Sequence, residues 1–182
     1  MLRNSFVSTM FFKQLLFVLA FVISTPAFAG SHDGDDRGGQ SMSAARQEIL
    51  DVISAYGWLY DSGQIGKWVD LFTQDTRWVW YAGPQKTFTV GLNGKTELRN
   101  FVEPRRIGLA EQGIQPRHYQ TNTVFLSLNG QRAVTRTYVV VLWQYAGELT
   151  PRPIHTGYYE DVFVKTRGGW KFKERLFFAD HV

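Results

Sequence analysis

The chain of 182 residues has no cysteine, which excludes disulfides, thiolate nucleophiles and cysteine-ligated metals together. Histidine is scarce as well. His32, His118, His155 and His181 stand at no metal-ligand spacing from one another, so no metal is expected. Also missing are a glycine-rich phosphate loop, a nucleophile elbow and a dinucleotide fingerprint, so neither phosphoryl transfer nor redox work finds support and no cofactor is expected. The basic residues form no dense patch, which argues against a nucleic-acid partner.

Charge is nearly missing from the first thirty residues, where Arg3 and Lys13 are the only charged side chains and an apolar run extends from Leu15 to Phe28. That run is short for a membrane span and is interrupted by Ser24, Thr25 and Pro26. Ala27-Phe28-Ala29 supplies the small-x-small pattern that a signal peptidase reads, so residues 1–29 read as a signal peptide cleaved before Gly30. Met10-Phe11-Phe12-Lys13 also begins a shorter, well-formed signal. The expectation is a periplasmic or secreted protein with no stable membrane anchor after cleavage. Without Arg3 and Lys13 the mature chain carries 18 Lys+Arg against 16 Asp+Glu, close to balance.

What remains is rich in core formers: 44% of residues are hydrophobic and 15% aromatic, enough for one domain with a substantial core. Residues 30–43 are polar and glycine-rich and read as a flexible leader, His32 and its neighbouring aspartates included. The domain is expected over residues 44–182. Ile49, Val52, Ile53, Tyr56 and Tyr60 recur at helical spacing until Asp61-Ser62-Gly63 stops the pattern. A second short helix is expected from Ile65 to Phe72, then short strands at Arg77 to Tyr81 and Thr87 to Val90. Gly94 to Leu109 resumes helical spacing, with Pro104 expected to break or bend it. Longer β segments follow at His118 to Leu128, Ala133 to Ala146 and His155 to Lys165, and a last one begins at Trp170. Asn129-Gly130 marks a hairpin by tolerating positive φ. Helices first and antiparallel strands afterwards give an α+β domain in which helices cover one face of a curved antiparallel sheet.

Strict alternation places His118, Gln120, Asn122 and Val124 on one face of their strand. Val139, Val141 and Trp143 suggest that the outer face of the sheet is apolar too, and that two copies pair through it as a homodimer. Trp58, Trp78, Trp80 and Trp143 read as core or interface residues, some lining an apolar pocket.

Four segments in register carry a resemblance. Tyr60-Asp61, His118-Tyr119-Gln120-Thr121-Asn122, Gly157-Tyr158-Tyr159-Glu160-Asp161, and Trp170-Lys171-Phe172 with Arg175 resemble the SnoaL-like branch of the nuclear transport factor two superfamily. Within it the pattern is similar to hexachlorocyclohexane dehydrochlorinase and, more loosely, to scytalone dehydratase. The resemblance implies a cone-shaped curved antiparallel sheet with the N-terminal helices packed on its concave face, and a general-base dyad of His118 oriented by Asp61, with Arg175 stabilising negative charge near a departing group. Tyr56 stands where the dehydrochlorinase has a lysine, which argues against that particular dehalogenation and suggests a hydrogen bond to a substrate oxygen instead. Tyr60, Asn122 and His155 are the other candidate substrate contacts, and Asp161 with Tyr159 forms a superfamily motif that reads as structural. The expected function is a cofactor-independent lyase or isomerase acting on a small hydrophobic cyclic or aromatic molecule. The rival reading is a non-catalytic periplasmic binding or assembly module, since this fold often serves as a cup without chemistry.

Overall fold

The computed structural model describes residues 36–180. The expected signal peptide, its cleavage point and the start of the leader lie outside the described residues, as does His181. Nine elements follow in order: α1 (Asp36–Asp61), α2 (Ile65–Val69), β1 (Phe72–Ala82), β2 (Thr87–Asn93), α3 (Gly94–Glu111), β3 (Ile114–Leu128), β4 (Arg132–Tyr145), β5 (Arg152–Thr166) and β6 (Gly169–Ala179). The strands form one curved, unclosed sheet in the order β2-β1-β6-β5-β4-β3. Every neighbouring pair is antiparallel except β1 and β6, which run parallel.

The stripe of α1 is buried as its spacing demands, with Ile49, Ile53 and Tyr56 almost fully enclosed. The helix begins at Asp36, so residues 36–43 are helical where composition suggested a flexible leader. Extending an existing helix needs no new nucleus, which lets a polar stretch continue one whose apolar stripe is anchored downstream. Trp58, in contrast, faces solvent at 76% exposure and belongs to neither the core nor the pocket. The expected second helix ends early, at Val69, because Phe72 already opens β1 and is fully buried against Phe172 at 5.1 Å between ring centroids.

Pro104 lies inside α3 without ending it. Leu98 and Val102 on its inner side are buried, and this packing holds the helix through the proline. Asn129 makes the β3–β4 turn by a route other than the one its sequence suggested. Its Oδ1 accepts the backbone N–H of Gln131 at 2.9 Å and of Arg132 at 2.8 Å, an Asx-type turn closed by side chain rather than by positive φ.

Bulges reset which residues face inward. Between Thr121 and Val124 the β3–β4 register slips by one, and Asn122 takes a φ of 54°. His118 and Gln120 therefore point inward before the bulge, whereas Thr123 and Phe125 do so after it: Thr123 Oγ1 lies 3.0 Å from buried Thr137 Oγ1, and Val124 is exposed. In β6 the register with β5 passes from Glu174 to Phe172, leaving Lys173 as the extra residue. Phe172 and Arg175 thereby reach the same buried face. The alternation of β4 corrects the expected pairing face: Val139 and Val141 are buried on the inner side, and outward-facing Tyr138 is exposed in their place. Among the described residues no helix is long and apolar enough to cross a membrane.

Candidate active site

Four carbonyls at the end of a helix lack partners within it, so whatever binds them fixes where the last residues sit. At the end of α1, Gly63 takes a φ of 74° and its N–H returns to the Tyr60 carbonyl. Arg106 of α3 donates through Nε to the same carbonyl at 3.0 Å and through Nη2 to the Asp61 carbonyl at 2.9 Å. Gln115 of β3 adds a third donor, Nε2 to the Asp61 carbonyl at 2.8 Å. The backbone that carries Asp61 is thus tied to both α3 and β3.

Its carboxylate grips His118 twice. Oδ2 accepts the His118 backbone N–H at 2.8 Å, and Oδ1 lies 2.7 Å from His118 Nδ1. A carboxylate only accepts, so Nδ1 carries the proton and a neutral imidazole presents Nε2 as its basic nitrogen. The ring itself is held edge-on between Tyr60 at 5.1 Å and Tyr56 at 6.0 Å. Gly57 permits this closeness: a Cβ there would stand 3.1 Å from His118 Cβ and 3.2 Å from the His118 carbonyl. Gly57 was not among the residues singled out from the sequence, although an isolated glycine within a helical stripe is itself a signal of close packing.

His118 forms part of the wall of a cavity of about 460 Å³ enclosed by α1, α3 and the inner face of the sheet. Trp68, Trp78, Trp80, Phe101, Trp143 and Phe177 supply most of the wall. Tyr56, Tyr60, Tyr159, His155, Gln112 and Arg105 contribute polar groups, and no Asp or Glu lines the cavity among the described residues. Burial, followed by the neighbouring Tyr56, pushes the Tyr60 hydroxyl up to about 12, and burial raises Tyr159 well above the usual tyrosine range. Both hydroxyls therefore stay protonated at neutral pH. Among the described residues no group of three or more His, Asp or Glu is placed to hold a metal ion.

The sequence expectations for Arg175 and Asn122 need correction. Arg175 is completely buried but stands behind the cavity wall. Its Nε and Nη2 donate to the two oxygens of buried Asp161 at 2.7 and 2.8 Å, and Nη1 donates to Gln120 Oε1 at 3.2 Å. Its guanidinium lies 4.0 Å from the ring centroids of Tyr56 and Tyr159 and 4.2 Å from that of Phe172. Burial works against charge on both partners, so it raises Asp161, while the Asp161 carboxylate outweighs it at Arg175 and keeps the guanidinium protonated. With its fork engaged, Arg175 braces the tyrosines and Gln120, whose Nε2 donates to the Ile53 carbonyl of α1 at 2.7 Å. Asn122 is exposed at its bulge, outside the cavity lining, and its Oδ1 accepts from Thr121 Oγ1 at 3.2 Å. Tyr56, Tyr60 and His155 do line the cavity with His118.

Residues 41–176 match the family model of a SnoaL-like domain. Among solved structures, the chain is similar to an NTF2-like protein with a cystatin-like fold from Novosphingobium aromaticivorans, at 20% identity and TM-score 0.68 over 82% of this chain and 92% of that one. A candidate scytalone dehydratase from the same organism shares 20% identity at TM-score 0.63, over 78% and 87% of the two chains. ActVI-ORFA from Streptomyces coelicolor shares 19% identity at TM-score 0.64, over 75% and 98%. At these identities the likenesses establish the fold. A search of curated protein sequences returns no match.

Proposed function

Because the chain belongs to the SnoaL-like family, over residues 41–176, we propose that it is a cofactor-independent lyase or isomerase that removes a proton from carbon in a small hydrophobic cyclic or aromatic molecule. The observation that carries this reading is the Asp61–His118 pair at the wall of an aromatic cavity. His118 Nε2 accepts the substrate proton while Asp61 holds Nδ1–H, keeps the tautomer and balances the imidazolium that forms. The aromatic walls select a flat apolar ring and exclude bulk water, which strengthens the carboxylate–imidazolium attraction during the step. One structural relative is itself named as a candidate scytalone dehydratase, and dehydration is a lyase-type elimination, which supports this reading.

The test uses 1-tetralone, a bicyclic aryl ketone with exchangeable protons beside its carbonyl. Wild-type protein in deuterated buffer is expected to exchange those protons faster than buffer alone, as read by proton NMR, and His118→Ala is expected to abolish the acceleration. Equal exchange by wild type and His118→Ala would sink the assignment.

The same reading extends to place and assembly. The enzyme acts outside the cytoplasm after loss of residues 1–29, and N-terminal sequencing of exported protein is expected to begin at Gly30. Two copies pair through the outer sheet face, where Tyr119, Val124, Leu126 and Tyr138 are each more than half exposed.

A further inference from the structure

Proton abstraction beside a carbonyl leaves negative charge on oxygen, and a site that carries out this step supplies a donor where that charge develops. The expected donor, Arg175, is engaged with Asp161 behind the wall. The strand register offers another group. His118 of β3 and His155 of β5 both sit opposite Val141 of β4, so the two histidines lie in one line across three strands. Two strand spacings separate their Cα atoms by about 10 Å. Both side chains line the same cavity on the inner face of a curved sheet, so they converge across it.

Local structure aims the second imidazole. The β4–β5 register slips between Val141 and Leu142, whose partners are His155 and Pro153, so Ile154 is an extra residue directly before His155. The ring is then fixed by edge contacts with Trp80 at 5.1 Å and Phe177 at 5.9 Å. No carboxylate lines the cavity among the described residues to repel an anion forming there.

We infer that His155 is a second catalytic residue, the N–H donor that polarises a substrate carbonyl across the cavity from the His118 base. The inference rests on the proton-abstraction reading above. In the step, His118 Nε2 takes the proton beside the carbonyl and the C–H electron pair becomes the C=C bond of an enolate. The C=O π pair moves onto oxygen, where the His155 N–H bonds to it without giving up its proton. Return of the proton from His118 to another carbon gives an isomerase; expulsion of a β-substituent with its electron pair gives a lyase. The substrate class is therefore a cyclic ketone or enone.

The experiment measures carbonyl-labelled 1-tetralone in two ways, by the infrared carbonyl band of the bound molecule and by deuterium exchange. Wild type is expected to move the band below its solution frequency. His155→Phe should return it and slow exchange about 100-fold, whereas His155→Gln, which keeps an N–H donor, should restore much of both. His118→Ala should abolish exchange while leaving the band shifted, so loss of the base and loss of the donor are distinguishable. A band unshifted in wild type, or a His155→Phe variant that keeps both the shift and the exchange rate, overturns the assignment. A band that shifts in wild type and returns in His155→Phe, with no exchange in either, supports the donor and overturns the proposed proton abstraction.

Discussion

Gly57 and His118 face each other more closely than a methyl group normally packs: a Cβ on the helix residue would meet the Cβ of the strand residue at 3.1 Å. Of the three nearest atoms, His118 Cβ and the His118 carbonyl oxygen cannot swing aside as Gln120 Nε2 can, so accommodating an alanine means moving α1 against β3 by a few tenths of an ångström. Asp61 rides on α1 and His118 on β3, and the dyad spans that junction. Gly57→Ala gains about 1 kcal/mol of helix propensity yet shifts the carboxylate relative to the imidazole. The expected outcome is at least about a tenfold loss of 1-tetralone exchange with little change in melting temperature. An unaltered exchange rate would show that the approach of helix to strand does not set the dyad.

Asp61→Asn retains an acceptor oxygen but loses the charge that fixes the tautomer and balances the imidazolium. A fall of about 10²- to 10⁴-fold in exchange is expected, measured beside the melting temperature to separate chemistry from folding. Retention of near-wild-type exchange by the folded variant would remove Asp61 from the mechanism.

Arg175 and Asp161 have a different signature, because both are fully buried and each compensates the other. Arg175→Met leaves Asp161 without its partner and is expected to cost about 3–5 kcal/mol in urea unfolding. Arg175→Met combined with Asp161→Leu removes both charges and is expected to recover much of that loss. If the double variant is no more stable than the single one, the ion pair is not what holds this region.

How much of this was legible in the sequence depends on periodicity. The stripe of α1 and the long strands announced themselves because a 3.6 or 2.0 repeat is written directly in side-chain order. Bulges are not, because they come from the register between strands. At Asn122 uniform alternation pointed a polar side chain into the cavity when it lies outside. At Lys173 it pointed Arg175 and Phe172 to opposite faces when both are buried. Asp61 and His118 were found through a four-segment resemblance, since 57 residues separate them and no local pattern joins them. Arg106 and Gln115, which secure the Asp61 backbone, could not be found that way: each acts through a carbonyl that any residue carries.

Tyr60 gives a pH test with a definite sign. Its hydroxyl loses its proton near 10 in the unfolded chain and near about 12 when folded. Between those values the folded state holds the extra proton, so its contribution is whole below pH 10 and falls as pH rises toward 12. Holding that proton is worth about 3 kcal/mol to the folded state at the low-pH end of the window. Urea midpoints measured on either side of this window should drop less in Tyr60→Phe than in wild type. Identical slopes would show that the hydroxyl is not buried in solution.

The outer sheet face bears on assembly. If Tyr119 and Tyr138 form the pairing surface, Tyr119→Lys combined with Tyr138→Lys should convert a dimer to a monomer in light scattering at micromolar protein while leaving exchange unchanged. A wild-type monomer under those conditions would defeat the pairing.

The extra residue at Asn122 works like a shifted reading frame within one strand. Upstream of it, the inward positions serve the cavity, and downstream they serve packing under the first helix through Phe125. Removing that single residue would pair Thr123 directly with Thr137 and leave Val124 opposite Arg136, so Thr123 and Phe125 would still point inward and Val124 outward. A deletion here would therefore straighten the strand without sending any side chain to the other face, in keeping with the single surface contact that Asn122 makes.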